Sequence, residues 1–270
     1  MPRSEYLEVA VEAATRAGEI ISGYFADLAS AAIEDKVTAN SGEGLVTKAD
    51  VEAEKAIIDT IRQHFPDHAF MAEEEHTADA GQVSDLWVID PLDGTNNFAH
   101  GIDRFCVSIA YFKDSVAQIG CIYRPTSEEK FLAIKDHGSW LNDRRVKVNN
   151  HQNLSDTLIG CGFHYDRGAM MQATLECIRE LFFADIHGIR RYGAAALDLV
   201  DVGCGRFGAF FEYALSPWDF AAGKLFVEEA GGRITTCTGE PPELRKTSMI
   251  ASNGHLHEAV LAITKKHADF

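Results

Sequence analysis

The sequence predicts a mixed α/β (α+β) chain: an N-terminal α+β half over about residues 1–150 and a C-terminal α/β half over about 151–270. Three observations predict it. Leu7, Ala10, Ala14, Ala17, Ile21 and Tyr24 recur at steps of three and four, the period of an amphipathic helix. Apolar runs at 105–112 and 116–123 flank Lys113-Asp114, the pattern of a β-hairpin. Beyond residue 151, short apolar runs alternate with helical periods, the rhythm of α/β units.

In chain order, residues 4–25 read as the first helix, with Ser4 as N-cap. Residues 30–46 read as a mobile polar connection, marked by Asn40-Ser41-Gly42-Glu43-Gly44. A second helix runs from Thr47 to Phe65 and is stopped by Pro66. A short strand, Ala69–Ala72, precedes Glu73-Glu74-Glu75. The run Leu86–Ile89 reads as a buried strand that ends at Asp90-Pro91, because Pro has no N–H for a central ladder. After the hairpin, Phe131–Ile134 and Arg145–Val148 continue a mainly antiparallel sheet. Then come a strand over Thr157–Cys161, a helix over Ala169–Phe183, a helix over Ala194–Asp201 and a strand over Phe207–Tyr213. A helix over Asp219–Ala230, a strand over Met249–Ser252 and a helix over 255–267 close the chain.

Composition bounds the function. At 270 residues the chain can bury a sizeable core. Its 25 Lys+Arg against 41 Asp+Glu, net −16, argue against binding nucleic-acid phosphates, which needs a basic face. No apolar run is long enough to span a bilayer, and Met1–Glu5 has no signal-peptide core. The expectation is a cytoplasmic protein with no membrane partner. The six Cys form no C-x-x-C pair, and the His residues (64, 68, 76, 100, 164 and 187 among them) show no zinc-ligand spacing. Most of those His read as surface residues.

The stretch Asp90-Pro91-Leu92-Asp93-Gly94-Thr95-Asn96-Asn97-Phe98 carries the chemistry. Two Asp on a tight turn repel unless a cation sits between them, and their hard oxygens suit Mg²⁺, Mn²⁺ or Ca²⁺. Gly94 lets backbone N–H groups approach an anion such as phosphate. A bare D-P-x-D-G is otherwise an ordinary Asx turn after a core strand.

This stretch resembles the first signature of the inositol monophosphatase family. Trp218-Asp219-Phe220-Ala221-Ala222-Gly223, running to Glu229-Ala230-Gly231-Gly232, is similar to the second. The resemblance covers nearly the whole chain. It implies one domain over 1–270 with a layered α-β-α-β-α sandwich, and a cytoplasmic homodimer. It also implies Mg²⁺-dependent, Li⁺-sensitive hydrolysis of a small phosphate monoester, most like myo-inositol 1-phosphate, using two or three Mg²⁺. Fructose 1,6-bisphosphate, histidinol phosphate, NADP and 3′-phosphoadenosine 5′-phosphate are the alternative substrates. Members acting on the last typically show Gly-Thr-Lys-Glu-Phe, where this chain has Gly94-Thr95-Asn96-Asn97-Phe98. A regulatory or binding protein on the same fold is the non-enzyme alternative. Mainly apolar segments around 156–163 and 180–192 are the candidates for a dimer interface.

The resemblance also assigns roles. Asp90 bridges two metals, the Leu92 carbonyl and Asp93 hold metal, and the Gly94 and Thr95 N–H groups meet phosphate. Glu73 matches a metal-binding Glu after a short strand, although a Glu run is ordinarily a solvated face. Asp50 matches the acid of Val-Thr-x-x-Asp that works with Thr95 on the attacking water. By spacing alone, Asp50 answers Thr47 in a capping box. Asp219 matches a residue of the metal and leaving-group side; by position it is also a helix N-cap. Glu212 matches a contact to substrate hydroxyls, and Gly193-Ala194-Ala195 a small-residue substrate wall. Lys36 is set against a family Lys beside the 38–44 loop, which is longer here than in some relatives. Arg190-Arg191 reads as a solvated pair or as a contact to an anionic substrate.

Overall fold

The computed structural model describes residues 4–28, 31, 34–35, 45–74, 83–164 and 167–270. Lys36, the 38–44 loop, most of the expected 30–46 connection, Glu75 and His76 lie outside the described residues.

The first part of the chain comprises α1 (Glu5–Ala26), β1 (Glu34–Asp35), β2 (Leu45–Val46), α2 (Lys48–His64), β3 (Ala69–Ala72), β4 (Asp85–Asp93), α3 (Thr95–Ala99), β5 (Cys106–Lys113), β6 (Val116–Arg124), β7 (Glu129–Ile134), β8 (Gly138–Leu141) and β9 (Arg144–Val146). The second comprises β10 (Leu158–Cys161), α4 (Ala169–Phe183), β11 (Gly188–Arg190), α5 (Ala195–Gly203), β12 (Ala209–Leu215), α6 (Pro217–Glu229), β13 (Arg233–Thr235), β14 (Thr247–Ser252) and α7 (His257–Lys266). Strands β3 to β9 form one sheet in sequence order, and a second sheet has the order β11-β10-β12-β14-β13. In the first sheet β3 is parallel to β4 and the other pairs are antiparallel. In the second, β10 is parallel to β11 and β12, while β14 is antiparallel to β12 and β13.

Apolar stripes dictate the stacking. Ala10, Ala13, Ala14, Ala17 and Ile21 of α1 and Ala53, Ile57 and Ile61 of α2 bury against one face of the first sheet. Small residues let the two helices approach closely. The other face packs against Ala196, Leu197 and Val200 of α5 and Ala221, Ala222 and Phe226 of α6. The opposite sides of α5 and α6 (Leu199, Val202, Phe220, Val227) meet the second sheet. That sheet's outer face is covered by Cys177 and Leu181 of α4 and Val260 and Ile263 of α7. The result is the α-β-α-β-α sandwich. Among the described residues, no helix is long and apolar enough to cross a membrane.

Local details refine the sequence reading. Ser4 occupies the N-cap of α1, but its side chain makes no capping bond. The hairpin turns at Asp114-Ser115, both at positive φ (48° and 64°), as a two-residue primed turn requires. The strand expected to stop at Asp90-Pro91 continues to Asp93. The ladder steps from Asp90↔Ser108 to Asp93↔Cys106, so Pro91 and Leu92 stand opposite Val107 alone. That bulge releases Pro91 from donating to the ladder and kinks the strand end. Strands β8, β11 and β13 were not expected; each has three or four residues, too few to show a period.

His257 is fully buried and carries a titration prediction. The Thr235 hydroxyl donates to the Thr236 carbonyl (2.8 Å), so it accepts from His257 Nε2 (2.9 Å), leaving Nδ1 to accept from Ser252 Oγ (2.8 Å). Burial, reinforced by nearby Arg233, pushes the ring from 6.5 down to about 4. The unfolded chain therefore binds this proton first, and the contribution present above 6.5 is lost as pH falls towards 4. Thermal melts of wild type and His257→Asn should differ most near neutral pH and converge on acidification. A gap that stays constant across that window contradicts the assignment.

Candidate active site

One cavity of about 710 Å³ opens where the carboxyl end of β4 meets the N-termini of α5 and α6. Its walls include Glu73, Asp90, Leu92, Asp93, Gly94, Thr95, Gly193, Ala194, Ala195, Glu212 and Asp219. Among the described candidate site residues, all but Asp50 and Arg190 line it. Asp50 stands immediately behind, fully buried.

The Pro91 bulge turns Asp90 and Asp93 to the same cavity. Asp90 Oδ1 accepts from the Leu92 N–H at 3.0 Å. Asp93 accepts from two backbone groups across the chain, Ala195 N (3.1 Å) and Ala196 N (2.8 Å). The N-cap position of α5 is Ala194, which has no capping side chain. Asp93 therefore caps that helix from outside, and an anion there complements the helix dipole. Gly94 follows at φ 95°, and a Cβ would sit 2.9 Å from the Arg104 carbonyl and 3.2 Å from Ala194 Cβ. Only glycine fits the turn.

Thr95 Oγ1 lies 3.2 Å from Asp50 Oδ1 and 2.9 Å from the Leu92 carbonyl; its one proton serves either acceptor. Asp50 Oδ2 accepts from Thr47 N (2.8 Å) and Thr47 Oγ1 (2.6 Å), so the capping box exists. The same carboxylate thus caps α2 with one oxygen and meets Thr95 with the other. Asp219 accepts from Ser216 N at 2.6 Å at the start of α6. Glu212, on β12, packs over Gly162, where a Cβ would overlap its carboxylate.

The electrostatics are those of crowded buried acids. Burial, then the charges of Glu73, Asp93 and Asp219, pushes Asp90 well above the usual carboxylate range. Burial raises Asp93 to about 6 against the two backbone N–H groups that favour its charge. Asp219 is raised by burial and by Glu73 and Asp93, and Glu212 by burial and by Asp219 and Asp198. Carboxylates placed this way ionise together only beside a cation. The donor set is all oxygen, the Leu92 carbonyl included, which suits a hard divalent ion such as Mg²⁺. Among the described residues, no three acidic, His or Cys side chains are already drawn into one closed ligand set; the acids stand around the cavity walls.

Several lining residues escaped the sequence reading. Asp198 lies one turn into α5, and burial raises it to about 8 despite Arg104 beside it. His164 and Lys246, 82 residues apart and 3.3 Å from each other, join Arg191 as the basic groups of the lining. No local pattern marks them. Arg190 does not share the cavity; its guanidinium donates to the neighbouring Ile189 carbonyl.

The model of the inositol monophosphatase family matches residues 3–269. An inositol-1-monophosphatase of Mesorhizobium japonicum is 38% identical over 98% of both chains. A Nus factor SuhB of Pseudomonas aeruginosa is 38% identical over 97% of this chain and 96% of its own. The crystal structure of extragenic suppressor protein suhB from Bartonella henselae superposes with a TM-score of 0.90 at 36% identity, covering 97% of this chain and 99% of that one. With the two signatures on one cavity and the match running from end to end, the chain belongs to the inositol monophosphatase family and is a phosphoric monoester hydrolase.

Proposed function

We propose that the chain hydrolyses small phosphate monoesters with Mg²⁺, myo-inositol 1-phosphate being its preferred substrate. The observation that carries this reading is the convergence of Glu73, Asp90, Asp93 and Asp219, from three separate segments, on one cavity, backed by the Asp50–Thr95 bond. Glu73, Asp90, Asp93, Asp219 and the Leu92 carbonyl would hold two or three ions. When bound, Mg²⁺ supplies positive charge for the phosphoryl oxygens and lowers the pKa of the attacking water.

The chain's own groups do the rest. The Gly94 and Thr95 N–H groups orient the phosphate, and Thr95 passes the water's proton to Asp50. Water attacks phosphorus directly, the ester P–O bond breaks, and the leaving oxygen departs past Asp219, taking a proton from solvent water to become the alcohol. Glu212 and the Gly193-Ala194-Ala195 wall bound the alcohol. Turnover should be compared across inositol 1-phosphate, fructose 1,6-bisphosphate, histidinol phosphate, NADP and 3′-phosphoadenosine 5′-phosphate. The highest kcat/KM is expected for inositol 1-phosphate; a higher value for another ester reassigns the substrate.

Li⁺ is expected to inhibit by taking the place of a weakly held Mg²⁺. Insensitivity on the order of tens of millimolar, a generous range for a weak hard-cation site, removes the chain from the Li⁺-sensitive branch. A homodimer is part of this reading. Segment 158–161 is largely buried within the second sheet, but Phe182 and Phe183 are 55% and 79% exposed near edge strand β11. Light scattering at a monomer mass contradicts it. A regulatory role without catalysis is the second reading, favoured by the relatives named Nus factor; metal-dependent phosphate release separates the two.

A further inference from the structure

Beside the cavity, with Asp198 on its wall, lies a charge network that the proposed chemistry does not use. Arg104 Nη2 donates to Asp198 (3.1 Å) and Asp201 (2.6 Å), three residues apart on one face of α5. Arg206 holds the other oxygen of Asp201 at 2.7 Å and reaches Glu129 of β7 at 3.3 Å. The Arg104 guanidinium lies 4.0 Å over the Tyr192 ring. Its carbonyl accepts from Asn97 Nδ2 (2.7 Å), and the same amide donates to the Tyr192 carbonyl (2.7 Å). The Arg104 carbonyl is also the atom that restricts position 94 to glycine.

Arg104 thus touches the Asp-Gly-Thr turn through its backbone and α5 through its side chain. What lies between them is the aim of Asp93, because both its oxygens are held by the first N–H groups of α5. The N-cap residue of α5, Ala194, makes no side-chain capping bond of its own. A buried ion network is a weak source of net stability, and this one leaves Arg104 Nε buried without a partner among the described residues. A group kept at that cost calls for a reason beyond stability.

We propose that Arg104, gripped by Tyr192, Asp198 and Asp201, is a positioning residue that sets the N-terminus of α5 against the turn and thereby fixes the aim of Asp93. The assignment rests on the Mg²⁺-phosphatase reading above. A lysine at 104 keeps the charge but loses the planar guanidinium that stacks on the Tyr192 ring while its Nη2 bonds both carboxylates. A leucine at the half-exposed position 192 removes the stacking face alone, and a phenylalanine keeps it.

The test compares wild type, Arg104→Lys, Tyr192→Leu and Tyr192→Phe. The readouts are kcat and KM, Mg²⁺ binding by calorimetry, and melting temperature with and without Mg²⁺. Arg104→Lys should weaken Mg²⁺ affinity or lower kcat by about 10–100-fold, as loss of an outer-shell partner does, while the metal-free melting temperature stays close to wild type. Tyr192→Leu should move the same readouts less far, and Tyr192→Phe should restore them. If Arg104→Lys melts early yet keeps its Mg²⁺ affinity and kcat, the network is only a staple and the proposal falls. If Arg104→Lys does not fold, equal Mg²⁺ affinity and kcat in Tyr192→Leu and Tyr192→Phe overturns it. Wild type that neither binds Mg²⁺ nor turns over overturns the phosphatase reading and this assignment together.

Discussion

Asp50→Asn is expected to lower kcat by about 10²–10⁴, the usual effect of losing a general base, while leaving the fold intact. The bonds explain why the two effects separate. Asn can turn its carbonyl oxygen to Thr47, whose N–H and hydroxyl both point at Asp50 Oδ2. The cap of α2 then survives at a cost of no more than about 1 kcal/mol. The amide NH₂ is left facing Thr95 Oγ1, where Oδ1 accepts now. Thr95 becomes the acceptor and its proton is driven to the Leu92 carbonyl, the competing partner at 2.9 Å. The proton path is reversed without removing an atom. KM and the Mg²⁺ requirement should change little. Near-normal kcat combined with a lowered melting temperature reduces Asp50 to a helix cap.

Asp93→Asn should behave differently, because Asp93 has two tasks. Each of its oxygens accepts a backbone N–H of α5. In the variant, an NH₂ must face one of those donors, leaving it unsatisfied at a cost of about 1–3 kcal/mol, and the charge that complements the helix terminus is lost. As the proposed metal ligand, its replacement should also cost more than the roughly 10–100-fold of an outer-shell partner. The expected signature is a lower melting temperature, a raised Mg²⁺ requirement and a lower kcat together. Mg²⁺ titrations at saturating substrate, with melts as control, read all three. An unchanged Mg²⁺ requirement with a lower melting temperature leaves only the capping task.

The contrast between these two acids shows how much of the site was legible in the sequence. The pairing of Thr47 with Asp50 is a three-residue spacing and could be read directly. The partnership of Asp50 with Thr95 spans 45 residues and rested on resemblance. That Asp93 caps α5 was invisible, since the helix lies about a hundred residues away and has no capping residue of its own. The long periodic elements were read to within a few residues, and Ala69–Ala72 and Ala169–Phe183 at their observed bounds. Pro91 misled, because a lone proline signals a strand end and only the register with β5 reveals a bulge. Asp198 and Asp201, acids in a short apolar helix, gave no sign of burial until Arg104 was seen between them. His164, Lys246 and Arg191 meet only through tertiary packing.

The most direct measurement is release of inorganic phosphate from inositol 1-phosphate by the purified chain, first stripped of divalent metal by exhaustive chelation and then titrated with Mg²⁺. Acids from three segments converging on one cavity, with a hard-oxygen donor set, predict no turnover in the stripped protein and full recovery as Mg²⁺ is restored. Full activity in the stripped protein would contradict that account.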